Sequence, residues 1–168
     1  MSSIEWQILA LARVALAMIL GGMIGVEREM IGKPAGMRTH MLVGGASALF
    51  TLLGSVIINY FGEVTCGADI IRGDPIRVIQ AIVLGISFIG AGTIMQHPER
   101  RKVIYLTSAA SILFTAGIGI AVAVDQYMLA VGCVVIVWTV NRGLRYLDKK
   151  MIRKRSVHMR SDEIDPQE

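Results

Sequence analysis

The sequence predicts an all-α membrane protein with five transmembrane helices, arranged as two parallel two-helix repeats plus a fifth helix. Three observations predict it. First, 54% of the 168 residues are hydrophobic, and the mean hydropathy is +0.58. Second, apolar segments of about twenty residues, the length a helix needs to cross a bilayer core, recur along the chain. Third, the basic residues gather in alternate connections, as the positive-inside rule expects.

The first span is Trp6–Val26. It is too long for the apolar region of a cleavable signal, no basic segment precedes it, and no clear small-residue cleavage site follows. A charged connector comes next, with Glu27, Arg28, Glu29, Lys33, Arg38 and His40 inside fourteen residues. The second span, Met41–Phe61, leads into "FGEVTCGADIIRGDP". Its Glu63, Asp69 and Asp74 are oxygen donors of the kind magnesium takes, but topological charge bias explains these acids more cheaply. The third and fourth spans are Ile76–Gln96 and Val103–Val124. The fifth runs from about Tyr127 to Tyr146, yet its uninterrupted apolar core is only Met128–Val140. Arg142 and Arg145 would have to snorkel, so four spans is the alternative count.

With the N-terminus outside, fourteen of the seventeen basic residues fall in cytoplasmic segments, and the outer segments hold only Arg72. Glu5, Glu63, Asp69, Asp74 and Asp125 lie outside instead. The net charge of +4 thus reflects topology and gives no case for a nucleic-acid partner. Cys66 and Cys133 sit at different depths, so no internal disulfide is expected. The transmembrane domain is placed at residues 1–146 and a cytoplasmic tail at 147–168. Leu144, Leu147, Met151 and Ile152 give the start of this basic-then-acidic segment one apolar helix face for the membrane surface. From Ser161 onward the composition is that of a disordered segment.

An internal repeat underlies the symmetry. Arg13–Thr51 aligns on Arg77–Thr115 with a shift of 64, no gap and twelve identities in 39 positions, where apolar composition alone gives about four. Each unit is two spans, so the units should be related by rotation about the membrane normal. Ser47, Thr51 and Ser55 recur as Ser111, Thr115 and Gly119, small residues on one helix face that let backbones approach. The units diverge where their first helices end: Glu27, Arg28 and Glu29 meet Ala91, Gly92 and Thr93.

That divergence marks the expected functional surface: Glu27, Arg28, Glu29, Lys33, Arg38 and His40, with Gly90, Gly92 and Thr93 of "GAGT" beside them at the cytoplasmic face. Structural alternatives stand next to this reading. The arginines suit lipid phosphate, the glutamates suit pairing with them, and Pro34 with Gly36 suits a turn. His40 is read as an interface residue. Arg13 and Arg77 are the intramembrane charges, equivalent in the repeat. Together they would suit an anion such as phosphate; separately, each can snorkel outward. No serine–histidine or metal-ligand spacing appears along the sequence, so neither an enzyme, nor a metal, nor a cofactor is expected.

"GGMIGVEREMIGKPAGMRTHMLV", "GISFIGAGTI" and "LTSAAS" resemble the MgtC/SapB family of bacterial membrane proteins. The resemblance covers roughly Arg13 to Tyr127. Met37 stands where the family usually has leucine, and Ser87 where a glycine is usual. Longer members carry a soluble C-terminal domain, and this chain resembles a short member that lacks it. The resemblance implies a polytopic inner-membrane protein linked to growth in low magnesium and to virulence through survival inside host cells. Family members were first called magnesium transporters, and some restrain a membrane partner, the proton-driven ATP synthase. Two functions therefore compete. One is regulation of a membrane-protein partner, with homo-oligomers also possible. The other is transport of a small ion, magnesium or an anion such as phosphate.

Overall fold

The computed structural model describes residues 3–64, 74–95 and 105–143, with side chains over 4–60, 74–94 and 105–143. These form five helices: α1 Ser3–Met30, α2 Met37–Val64, α3 Pro75–Met95, α4 Leu106–Ala123 and α5 Tyr127–Gly143. The first four contain segments long and apolar enough to cross a membrane, and α5 is a shorter apolar helix. The protein is thus a multi-pass, all-helical membrane protein. The chain divides into two compact units, Met1–Val134 and Val135–Glu168. In the second, the Arg142 guanidinium lies 4.4 Å from the centre of the Trp138 ring, a cation–π contact. The tail expected at 147–168, its apolar face from Leu144, the acids Glu63 and Asp69, and Cys66 lie outside the described residues or side chains.

The charged stretch is mostly helix rather than connector. Glu, Arg and Met are strong helix formers, and α1 continues through them to Met30. It stops in a Schellman motif: Gly32 takes φ +64, its N–H reaches Glu29 O, and Lys33 N–H reaches Arg28 O. Pro34 then cannot continue the helix. The next helix begins at Met37, four residues before the apolar run, so Arg38 and His40 lie in its first turn. A second Schellman motif ends α4, with Asp125 at φ 62 and the N–H groups of Asp125 and Gln126 bonded to Val122 O and Ala121 O. Aspartate is among the few residues that adopt this left-handed conformation readily.

In the first unit, α4 is central and packs on α1, α2 and α3. The core is Ala17, Leu20 and Ile24 of α1, Val43, Ala48 and Leu52 of α2, and Ile112, Ala116, Ile118 and Val122 of α4. Small residues set the spacing. A Cβ at Gly119 would collide with Gly44 O, and one at Gly44 would stand 2.7 Å from Ala17 O. The Thr115 methyl seats beside Gly21 and Gly44. Helices in lipid gain little from excluding water, so backbone approach of this kind supplies the packing. By contrast α3 contacts α2 and α4 but not α1, and its apolar face is largely exposed.

The repeat-equivalent positions occupy different settings. Gly21 is pressed against His40 O, whereas its counterpart Gly85 borders open space, with no atom within 4 Å of where a Cβ would stand. Arg28 is buried, whereas Gly92 is exposed.

Candidate functional site

Three helix ends converge: the C-terminus of α1 and the N-termini of α2 and α4. Glu27, Arg28, His40, Ser108 and Ser111 are all buried there. Arg28 donates from its terminal nitrogen to Thr107 O at 3.3 Å, tying the last turn of α1 to the first of α4. Glu29 points the other way. Its Oε2 accepts from Met37 N–H at 2.8 Å, capping α2 across the turn. Gly36 leaves room for that carboxylate, since a Cβ would sit 2.8 Å from Oε2.

His40, expected at the membrane interface, is fully buried among the helices. It lies on the bundle-facing side of the first turn of α2 and joins two elements. Nδ1 lies 2.9 Å from Gly36 O and Nε2 3.1 Å from Ser111 Oγ. A carbonyl only accepts, so Nδ1 carries a hydrogen. In the neutral ring Nε2 then accepts from the Ser111 hydroxyl. That same hydroxyl lies 2.8 Å from Ser108 O, so its single proton has two competing acceptors. The Ser108 hydroxyl is also buried and has no hydrogen-bond partner among the described residues. The fold therefore creates a serine–histidine pair that linear spacing hid. Sealed between helices, it acts as an interhelical bond.

The other expected residues divide. Lys33 and Arg38 are exposed at the rim. Gly90, Gly92 and Thr93 are on α3, which does not touch α1. Gly90 instead faces Ala109 of α4, and the Thr93 hydroxyl turns back to Gly90 O at 2.7 Å. The two sequence segments thus meet the same first turns of α4 at separate residues. Thr107, Ser108 and Ser111 were not foreseen as partners of the charged stretch. The available signal was three hydroxyl residues within the otherwise apolar opening of a span.

The two intramembrane arginines are not brought together. Arg13 pairs with Asp125 at 2.6 Å, with 18% and 53% of the two side chains exposed. The Tyr127 hydroxyl donates to the same carboxylate oxygen at 2.6 Å. Arg77 is 83% exposed and lies 3.9 Å from Asp74, whose other oxygen, Oδ1, accepts from Ile76 N–H. Among the described residues no group of three His, Cys, Asp or Glu side chains is placed to hold a metal ion.

A family model for the MgtC family matches residues 14–150, taking in the charged stretch, the α4 opening and the helices that hold them. The chain belongs to the MgtC family. It is 40% identical over 120 residues to YhiD of Escherichia coli K12, covering 71% of this chain and 53% of that protein. It is 37% identical over 123 residues to SrpB of Synechococcus elongatus, covering 70% and 64%. It is 36% identical over 129 residues to MgtC of Salmonella typhimurium LT2, covering 77% and 49%. The chain therefore spans about half the length of YhiD and of MgtC. No solved structure matches it. The MgtC-family match embraces all three segments on which the resemblance rested, and the buried cluster lies wholly within it.

Proposed function

We propose that this chain is a regulatory inner-membrane protein that supports adaptation to low magnesium or intracellular stress by binding a membrane partner. ATP synthase is the partner that the family resemblance implies. The observation that carries the reading is the division of labour in the charged stretch. Arg28 and His40 are consumed in bonds between helices, while Lys33 and Arg38 are left exposed around them. Buried groups of this kind fix the geometry of a surface, and exposed cations on a rigid surface recognise acidic partners. The basic split along the sequence supports a cytoplasmic position for this surface, with the N-terminus outside and the C-terminus inside.

The test is a Lys33→Ala/Arg38→Ala double variant. It should lose growth in low magnesium and copurification of ATP synthase while its amount in the membrane stays near normal. Loss of activity only in step with lost protein would overturn the reading. Reporter fusions to each end check the orientation, and a cytoplasmic N-terminus would contradict it.

The transport reading draws on YhiD, which carries the provisional name of a magnesium transporter. Pure protein in liposomes should show no magnesium or phosphate flux if the regulatory reading holds. Flux that depends on Arg13 or Arg77 would replace it.

A further inference from the structure

The bundle carries a groove that the regulatory reading does not use. It runs between α2 and α3, has a volume of about 890 Å³, and is lined by apolar side chains including Leu42, Phe50, Ile57 and Ile89. Glycine placement opens it. At one end α2 and α3 close on each other, where a Cβ at Gly54 would stand 2.9 Å from Val78. Farther along, Gly85 faces the groove with nothing within 4 Å of its missing Cβ. Ser47 also lines it, but its hydroxyl bonds back to Val43 O at 2.8 Å, so the wall stays apolar. In a bilayer such a groove fills with hydrocarbon.

Among the described residues its one charged lining residue is Arg77, in the first turn of α3. The guanidinium is 83% exposed, and its acidic neighbour Asp74 is at 3.9 Å, beyond hydrogen-bond reach. Arg77 therefore keeps its donors for an oxyanion, and its planar fork matches phosphate. A helix start is also where headgroups lie. From Leu42 to Ile57 the groove follows α2 for about 22 Å at 1.5 Å per residue, longer than the roughly 15 Å half-thickness of a hydrocarbon core. A whole acyl chain fits along it. A second copy of the chain would fill the apolar part without bringing a phosphate to Arg77, whose ion pair with Asp74 is longer than a hydrogen bond. An anionic phospholipid supplies both in one molecule.

We propose that the α2–α3 groove binds an anionic phospholipid, with one acyl chain along the groove and the phosphate on Arg77. The test is native mass spectrometry of the full chain titrated with phosphatidylglycerol and with a diacylglycerol of the same acyl chains, which lacks the phosphate. Wild type should retain one phosphatidylglycerol with about tenfold preference, the scale of one charge-assisted contact. Arg77→Gln should erase that preference. Gly85→Leu, which adds its side chain to open space, should reduce retention of both lipids about tenfold or more with an unchanged unfolding temperature, because it blocks the chain site. Equal retention of the two lipids by wild type would overturn the proposal, as would unaltered retention in Gly85→Leu. So would a dimer that Gly85→Leu converts to monomer without affecting lipid, since the groove would then belong to a second copy. Arg77 lies on the exposed surface, so its variant keeps the proposal falsifiable even if Gly85→Leu fails to fold.

Discussion

Asp125→Asn isolates the ion pair that joins α1 to the end of α4. Asparagine tolerates the left-handed conformation at φ 62, and its amide oxygen still accepts from the Tyr127 hydroxyl. The change therefore removes charge and little else. At 2.6 Å, Coulomb's law gives about 6 kcal/mol at an effective dielectric of 20 and about 1.6 kcal/mol in water. Asp125 is 53% exposed, so solvent screening moves the value well towards the lower figure. Arg13 Nε is buried without an acceptor among the described residues, which leaves the Asp125 carboxylate as the counter-charge and resists a drop to zero. The expected loss of stability is about 2 kcal/mol, read by unfolding in mixed detergent and dodecyl sulfate micelles. Arg13→Gln in the Asp125→Asn background should add little, giving a coupling energy of about 1.5 kcal/mol in the double-mutant cycle. A coupling below about 0.3 kcal/mol would show that the pair is ornamental and refute the reasoning.

Three further outcomes follow from the packing. His40→Ala should cost about 2 kcal/mol in the same unfolding assay, since it opens a cavity and removes the imidazole's bonds to Ser111 and Gly36, while Ser111 keeps Ser108 O and Gly36 O keeps the backbone N–H of residue 40; a change under about 0.5 kcal/mol would mean that this side chain holds nothing. Glu29→Ala should cost about 1 kcal/mol through loss of the cap on α2, with Glu29→Gln closer to wild type because its amide oxygen still accepts; equal losses in both would point to charge instead. Gly119→Val should prevent recovery of folded protein because of the collision with Gly44 O, whereas Gly117→Val, with open space around it, should be recovered normally by gel filtration.

Hydropathy locates apolar runs, which is why the four long helices were legible and their ends were not. The first helix outlasts its apolar run because Glu27, Arg28, Glu29 and Met30 favour helix as strongly as the residues before them. The fifth was anticipated as the weak span, and over the described residues it is the shorter apolar helix Tyr127–Gly143. Nothing local announces the partners of the polar residues. His40 finds Ser111 71 positions away, and Arg13 finds a carboxylate on the turn after α4. In isolation a basic residue near a span end looks like a headgroup anchor; only tertiary packing turns it inward. The charged stretch was singled out because its sequence diverged between the repeats. That divergence has a counterpart in burial at Arg28 and Gly92, but the path through α4 had no signature in spacing.

Arg13, Gly21 and Arg28 meet Asp125, Thr115 and Thr107 in antiparallel order. The polar contacts at the two ends are fifteen α1 residues apart, about 22 Å along the axis, with backbone-close packing between them. Such a pair is mechanically a clamped beam. Tension on one end cannot be relieved by sliding, because glycine, carbonyl and methyl interlock midway and a fastening waits at the far end. Drawn out of a bilayer by a force probe, α1 and α4 should yield in one step rather than turn by turn. A displacement imposed at the Arg13 end would then reach the Arg28 end undiminished, as a movement of the whole beam.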